Sequence, residues 1–213
     1  MFIATVSPRS TGKSTIMAWL LHALHDRGYP VTGFDADESK QLYRWWEARP
    51  EGSYPFELHL LPSTRFHDEA PRLLPDGHIG GVDCGHLENH AGIGWSVLRI
   101  ADLVIVACAA TNGDIERMEE LPMDHFIDQV IPKRADKTRP ETWVLLCRVQ
   151  PSSIRQPKGI RKGLVEDGWN VFTTEIPAIQ IYASTGEGVP IKAAGTAFDE
   201  LVTEMEKRGL ITK

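Results

Sequence analysis

The chain has 213 residues, of which 23 are basic and 29 acidic, giving a formal net charge of −6. Its hydrophobic fraction of 42% and charged fraction of 24% are typical of globular proteins, and they exclude disordered and collagen-like classes. This length is typical of a single domain, and it excludes a long repeat array. We therefore expect one domain over residues 1–213.

Membrane and secreted classes are not favoured. No apolar run approaches the roughly 18–20 residues needed to cross a bilayer, and the first residues lack the pattern of a signal peptide. The three cysteines, Cys84, Cys108 and Cys147, are widely spaced and fit neither a disulfide framework nor a paired zinc site. We expect a cytoplasmic protein with reduced cysteines and no membrane partner.

Apolar runs and helical periodicity alternate along the chain. In chain order, the pattern predicts a strand over Met1–Val6, a helix over Lys13–Arg27, a strand over Val31–Phe34, a helix over Gln41–Trp46, a strand over Phe56–Leu61, a loop or short helix over Asp68–Gly77, a strand over Ile79–Asp83, a helix over His90–Ile100, a strand over Leu103–Ala109, partial helix over Glu116–Val130, a strand over Trp143–Val149, a helix over Ser153–Asp167, a last strand over Asn170–Ile176 and a final helix over Ala193–Arg208. Such alternation predicts an α/β fold, with a doubly wound, mostly parallel sheet and helices on both faces.

A phosphate-binding loop is predicted between the first strand and the first helix. Gly12-Lys13-Ser14-Thr15 lies there, where backbone N–H groups and the positive end of a helix can surround a phosphate. Lys13 would neutralise the β- and γ-phosphate oxygens, and the Ser14 hydroxyl would ligate Mg²⁺. Ser7 occupies the position where the usual loop has its first glycine. The alternative is that these residues only cap the helix.

Three aspartates close predicted strands. Asp35 and Asp37 follow the second strand, and Asp83 ends the segment Ile79–Asp83. Because the carboxyl ends of parallel strands line one crevice, all three are expected to face the triphosphate. Asp83 suits a role holding a Mg²⁺-bound water, and one of the other two would orient the attacking water. Ordinary capping of turns by aspartate is the alternative.

Several segments together resemble the ParA/MinD family of deviant Walker-A ATPases, especially the short plasmid partition ATPases without an N-terminal DNA-binding domain. The matching segments are Ser10–Thr15, Gly28–Val31 leading into Phe34–Asp37 as the D-x-D switch I, Val82–Gly85 as switch II, Ala101–Val106, Leu145–Val149 and Thr174–Tyr182. The resemblance covers nearly the whole chain. It implies one P-loop NTPase domain that binds ATP and Mg²⁺, forms a homodimer around two nucleotides, hydrolyses ATP slowly under stimulation by a partner and coats DNA reversibly.

The resemblance also implies roles for individual residues. The nucleotide contacts would come from Ser10, Thr11, Gly12, Lys13, Ser14, Thr15 and, near the adenine, Arg148. The metal site would use Ser14 as a direct ligand and Asp35 and Asp83 in the outer sphere of Mg²⁺. Asp37 would position the attacking water.

The loop departs from the family at one position. The family's signature lysine, which reaches the partner's nucleotide across the dimer, corresponds to Pro8 here. We hypothesise that the adjacent Arg9 supplies this charge in trans, as an arginine finger does. The alternative is a protein that hydrolyses ATP very weakly and works as a nucleotide-dependent switch or scaffold.

A basic segment interrupts the otherwise acidic chain. Nine basic and only two acidic side chains occur between Pro132 and Gly163, a local charge of +7. The four that fall at helical spacing are Arg155, Lys158, Arg161 and Lys162. A solvated surface helix is one interpretation, but the resemblance favours non-specific DNA binding.

The sequence thus predicts a nucleoid-associated ATPase that segregates plasmids or chromosomes with a ParB-like, centromere-binding partner. Three alternatives stay open. They are an accessory ATPase of conjugative transfer or plasmid stability, a small-molecule synthetase or kinase of the same P-loop group, and a weakly hydrolysing scaffold.

Overall fold

A computed structural model describes residues 1–7, 11–85, 91–111, 113, 123–152 and 155–212. The strands are β1 (Phe2–Val6), β2 (Val31–Ala36), β3 (Leu58–Leu60), β4 (Ile79–Cys84), β5 (Leu103–Ala109) and β6 (Glu141–Cys147). The helices are α1 (Lys13–Asp26), α2 (Gln41–Glu47), α3 (Phe66–Leu73), α4 (Ala91–Leu98), α5 (Met123–Asp128), α6 (Arg155–Glu166), α7 (Gln180–Ala183) and α8 (Ala197–Lys207), with a 3₁₀ turn at Ile131–Lys133.

The six strands form one parallel sheet in the order β3-β2-β4-β1-β5-β6. β1 lies at the centre between β4 and β5, so the loop after it opens at the point where the strand order reverses. The register pairs Asp35 with Asp83 and Thr5 with Asp83 on neighbouring strands. The predicted fold class is confirmed, and the two carboxylates at the ends of β2 and β4 are side by side.

Each face of the sheet has its own apolar core. Along β5, Leu103 and Ile105 pack into the core that contains α1 and α8, while Val104 and Val106 pack into the core that contains α3 and α4. This alternation is what a strand buried on both faces requires. In the described part of the chain, no helix is long and apolar enough to cross a membrane.

The prediction of a seventh strand over Asn170–Ile176 is wrong. The chain here does not form a continuous ladder with β6. It pairs with that part of the chain at two isolated parallel bridges, Val144 to Val171 and Val149 to Pro177. Between the bridges, the backbone N–H groups of Thr173 and Thr174 donate to the Glu204 carboxylate of α8, both at 2.8 Å. A regular ladder cannot form there because a side chain from the covering helix binds these donors.

Several predicted boundaries also shift, and for two of them the local backbone gives the reason. β6 ends at Cys147 rather than Val149, because Arg148 adopts a left-handed conformation with φ of 52°. The last helix begins at Ala197 rather than Ala193, after Gly195 turns the chain with φ of 73°. The Thr196 hydroxyl then caps the helix by accepting from the Phe198 N–H at 3.3 Å.

Glu204 holds the irregular segment to α8. Burial alone would raise the pKa of this carboxyl, but hydrogen bonds from Thr173 and Thr174 outweigh it and lower the pKa to about 2. The Thr174 hydroxyl and the Arg208 guanidinium also donate to the carboxylate, at 2.7 and 2.8 Å. The ionised form is therefore an acceptor for four donors.

We expect Glu204→Gln to lower the free energy of unfolding by about 1–3 kcal/mol at neutral pH, because an amide cannot accept all of these bonds. The lowered pKa means that the contribution of Glu204 is complete above its ordinary value and is lost as the pH falls towards 2. Denaturant unfolding at pH 7 and pH 3 measures this, with the exposed Glu200→Gln of the same helix as the control. An equal gap between parent and variant at both pH values would contradict the assignment.

Candidate nucleotide site

The loop after β1 presents the open end of α1. Gly12 precedes the helix in a left-handed conformation with φ of 96°, and its carbonyl accepts the Ile16 N–H at 2.9 Å. No side chain of the described residues caps α1, and its first turn carries no acidic residue. The first N–H groups of a helix have no partners within the helix, so this end of α1 is suited to an anion. The alternative that Gly12 to Thr15 serve only as a side-chain cap is not supported.

The loop is also tied to the neighbouring strand. The Cys147 thiol, at the end of β6, is buried and donates to the carbonyl oxygen of Thr11 at 3.3 Å. This contact joins the loop after β1 to a strand two positions away in the sheet. This contact could not be predicted from the sequence, because nothing in the neighbours of Cys147 indicates a partner 136 residues earlier.

Asp83 is the least compensated group of the site. It is fully buried, and neither carboxylate oxygen has a hydrogen-bond partner in the structure as described. Burial raises the pKa of Asp83 to about 8, and the nearby Asp35 carboxylate adds to this. Ser14 and Lys13 lie close enough to offset part of the shift, although Ser14 does not complete a hydrogen bond to it.

Asp35 and Asp37 have local partners. The Asp35 carboxylate accepts the N–H groups of Asp37 at 2.9 Å and Tyr43 at 2.8 Å. Burial nevertheless raises the pKa of Asp35 to about 6. The buried Asp37 carboxylate accepts the Ser39 N–H at 2.9 Å. A Cβ atom on Gly85 would lie 3.2 Å from the Asp37 carboxyl, so the end of β4 packs closely against it.

These residues fit a hydrated Mg²⁺ bound together with phosphate. Within the described ranges, no group of three His, Cys, Asp or Glu side chains could enclose a metal ion. Mg²⁺ commonly keeps several waters and binds through substrate phosphates and one or two protein oxygens. A metal-bound water would supply the hydrogen-bond donor that the Asp83 carboxylate lacks. Ser14, at the start of α1, would be the direct protein ligand.

A cavity of about 540 Å³ extends from the loop towards α7. Its walls include Thr11, Gly12, Cys147 and Tyr182, and Arg148 is the one charged residue among its described lining residues. A Cβ atom on Gly12 would lie 4.0 Å from Nε of Arg148, so this side chain borders the phosphate loop. An exposed cation with no acidic residue beside it in the described cavity wall favours an anionic ligand.

The predicted DNA-binding residues are less uniform than their spacing indicates. The Arg161 guanidinium donates to the carbonyl oxygens of Phe172 and Thr173 and forms an ion pair with Glu175 at 2.6 Å. Arg161 is therefore half-buried and paired within the molecule, so its guanidinium is less available to DNA than that of a fully exposed side chain. Lys158 is exposed, and Lys162 is exposed with a 3.6 Å contact to Glu166.

Two other cations of the segment also have partners, one in the interior and one at the surface. The buried Arg134 donates to the carbonyl oxygens of Leu98 and Ala101 and pairs with Asp136. Arg139 pairs with Asp124. Part of the local charge of +7 is thus engaged in contacts within the protein, whereas Lys158 and Lys162 of α6, together with Lys133, Lys137 and Arg148, are exposed.

Some predicted residues lie outside the described part of the chain. Pro8, Arg9 and Ser10 are not described, nor is the side chain of Arg155. The structure therefore brings together Thr11, Gly12, Lys13, Ser14 and Thr15 with Asp35, Asp37, Asp83 and Arg148. The roles predicted for them remain predictions.

No protein-family model and no curated protein matches this sequence. Solved structures do match. An ATP complex of McdA from Cyanothece aligns over 100% of this chain and 97% of its own, with a TM-score of 0.70 and 13% identity. A plasmid partition protein from Borrelia burgdorferi B31 bound to AMPPNP aligns over 97% and 98%, with a TM-score of 0.68 and 13% identity. MinD from Pyrococcus horikoshii OT3 complexed with Mg-ADP aligns over 98% and 96%, with a TM-score of 0.66 and 18% identity.

The fold is therefore that of the ParA/MinD-type ATPases, as the sequence motifs predicted. Identities of this size establish the fold alone. The same fold occurs in cobyrinic acid a,c-diamide synthase from Mycobacterium smegmatis, with a TM-score of 0.65 and 14% identity over 98% of this chain and 96% of that one. The choice between a partition-type ATPase and a synthetase thus depends on the site.

We expect Asp83→Asn to stabilise the nucleotide-free protein by about 1–3 kcal/mol. The native carboxyl must either take up a proton or bury an uncompensated charge on folding, and the amide avoids both. Since the folded pKa is raised to about 8, the destabilisation by Asp83 grows as the pH rises from about 4 towards 8.

Thermal unfolding at pH 5 and pH 8, with the exposed Asp76→Asn as the control, measures this effect. With saturating Mg-ATP the parent should become more stable than Asp83→Asn, because only the parent keeps the carboxylate that accepts a hydrogen bond from the metal-bound water. A nucleotide-free variant less stable than the parent would contradict the interpretation of Asp83 as an uncompensated group.

Proposed function

We propose that this protein is an ATPase that binds ATP and Mg²⁺, forms a homodimer with ATP bound, and binds DNA non-specifically to segregate a plasmid or chromosome. A ParB-like, centromere-binding protein would be the partner, and the nucleoid the place of action. The observation that carries the proposal is the buried, uncompensated Asp83 beside Lys13 and Ser14 at the open end of α1.

Nucleotide binding is supported by the shape and charge of the site. The uncapped end of α1 can accept phosphate oxygens, and the buried Lys13 can neutralise the β- and γ-phosphates. The cavity between this loop and α7 has room for a nucleoside, and Arg148, which is predicted to lie near the adenine, is among its lining residues. The partition protein and MinD that share the fold were crystallised with AMPPNP and Mg-ADP.

Hydrolysis requires an oriented water and stabilised charge at the γ-phosphate. Bound Mg²⁺ would neutralise charge on the transferred phosphoryl group. Asp37, held by the Ser39 N–H and packed against Gly85, can accept a hydrogen bond from the attacking water and orient it towards phosphorus. Asp35 fixes the start of this segment through its bonds to Asp37 and Tyr43, and it can also accept from a metal-bound water.

The dimer proposal includes Arg9. With proline at the position of the family's signature lysine, the neighbouring arginine would reach the partner's nucleotide and stabilise charge in the transition state. A nucleotide-dependent scaffold with weak hydrolysis is the second candidate, favoured by the same substitution of proline at position 8. The two candidates differ in turnover, not in ATP binding.

Binding to DNA would use one exposed side of α6. Lys158 and Lys162 are one helical turn apart and face solvent, and Arg155 precedes Lys158 by three residues in the sequence. Contacts of this kind neutralise phosphates without reading bases, so affinity should fall with salt.

The proposal predicts an ATP-selective dimer on DNA. Sizing by light scattering with ATP, ADP or no nucleotide, each with and without a random duplex, should give a dimer and a DNA complex with ATP alone. Lys13→Ala should abolish both, because it removes the charge that neutralises the phosphates. Nucleotide-independent assembly would contradict the proposal and favour a static scaffold.

The DNA-binding residues can be tested in the same assay. We expect Lys158→Ala and Lys162→Ala to weaken ATP-dependent DNA binding and to reduce the salt slope by about 1 for each phosphate that the variant no longer neutralises. Lys207→Ala, an exposed lysine on α8, is the matched control. An unchanged salt slope in both α6 variants would exclude this side of the helix as the DNA site.

We expect Arg9→Ala to reduce ATP turnover by on the order of 10³-fold, as for loss of an arginine finger, while ATP binding to the monomer is retained. Arg9→Lys should restore part of the rate, because the positive charge is kept. Turnover and ATP-induced dimerisation are the two measurements. An unchanged Arg9→Ala variant would end the finger hypothesis and leave the scaffold as the better candidate.

A further inference from the structure

The side chain of Trp45 lies directly on Gly186. A Cβ atom at Gly186 would be 2.2 Å from Nε1 and 2.4 Å from Cδ1 of the Trp45 ring. Gly186 also has φ of 94°, a conformation that side chains rarely adopt. No other residue could take this position without moving the indole. The contact joins α2 to the loop after α7.

On one side of the contact, α2 is tied to the carboxylates. The Tyr43 N–H donates to Asp35 at 2.8 Å, and the Lys40 N–H donates to the carbonyl oxygen of Asp37 at 3.0 Å. Trp45 follows within the same short helix. A displacement of α2 would therefore move the backbone that orients Asp35 and Asp37.

On the other side, Gly186 follows the helix that forms the wall of the nucleoside cavity. Tyr182 of α7 lines this cavity. The Thr185 hydroxyl donates to the Tyr182 carbonyl oxygen at 2.7 Å and accepts the Trp19 indole N–H at 2.8 Å. Because Trp19 belongs to α1, this segment is fixed to the helix that carries Lys13.

We propose that Trp45 is a positioning residue, whose contact with Gly186 sets the position of Asp37 relative to the cavity that holds the nucleoside. The inference rests on the proposed ATPase function and adds a coupling between two parts of its site. A ligand that packs against α7 and fixes its position would also fix α2 through the Trp45 indole. The position of α2 would in turn keep the Asp37 carboxylate within hydrogen-bonding distance of the attacking water. Misplacing a reacting group by about 1 Å can cost on the order of 10² in rate.

The experiment compares two glycines of the same loop. Gly186→Ala introduces a side chain into the indole, whereas Gly188→Ala has a similar φ of 79° and no atom within 4 Å of the new Cβ. Both variants carry the strain of a left-handed alanine, so their difference isolates the contact with Trp45. We expect Gly186→Ala to lower kcat for ATP at least tenfold with little change in nucleotide affinity, and Gly188→Ala to resemble the parent.

A double-mutant cycle supplies the second readout. In a Trp45→Ala background, Gly186→Ala should have no further effect on kcat, because the ring with which it collides is gone. Trp45→Phe should recover part of the rate that Trp45→Ala loses. The Trp45 contribution to fluorescence, taken as the difference between parent and Trp45→Phe, should change when ATP binds.

Three results would overturn the inference. Equal losses in Gly186→Ala and Gly188→Ala would assign the effect to backbone strain, and additive losses in the cycle would show that Trp45 and Gly186 act separately. If Gly186→Ala does not fold, full kcat in Trp45→Ala would be decisive against the inference. If one of these results is found and the parent hydrolyses ATP, only this inference fails. If the parent does not bind ATP, the proposed function is refuted as well.

Discussion

The molecule is organised around a carboxylate that is buried without a partner among the described residues. Asp83 lies at the carboxyl edge of the sheet, where the register places Asp35 beside it and the fold places Lys13 and Ser14 in front of it. A protein that was selected only for stability would not retain such a group, because an orphaned buried carboxyl opposes folding. The cost is explained if a metal-bound water and a phosphate complete the hydrogen bonding when ligand is present.

The features predictable from the sequence are those determined by local pattern and chain direction. The loop at Gly12–Thr15 follows from its place between a strand and a helix, and the grouping of Asp35 with Asp83 follows from the parallel sheet. The features that were missed depend on distant partners. Glu204 removes Thr173 and Thr174 from the sheet, and no local signal near residue 173 indicates a carboxylate about 30 residues later.

The charge of the basic segment could likewise not be interpreted from the sequence alone. Counting residues gives +7 between Pro132 and Gly163, but a count does not show which guanidiniums are already satisfied. Arg134 and Arg161 donate to main-chain carbonyls and pair with acidic residues, so they hold the fold together. The surface charge available to a nucleic acid is therefore smaller than composition indicates. It includes Lys158 and Lys162 of α6 and the exposed Lys133, Lys137 and Arg148.

A crystal structure of the Mg-ATP complex of the full chain tests the central claim most directly. We expect the triphosphate on the main-chain amides at the start of α1, with Lys13 on its β- and γ-oxygens and a metal-bound water donating to the Asp83 carboxylate. A nucleotide bound elsewhere, or an Asp83 carboxylate that still has no partner in the complex, would contradict the explanation of why this carboxylate is buried.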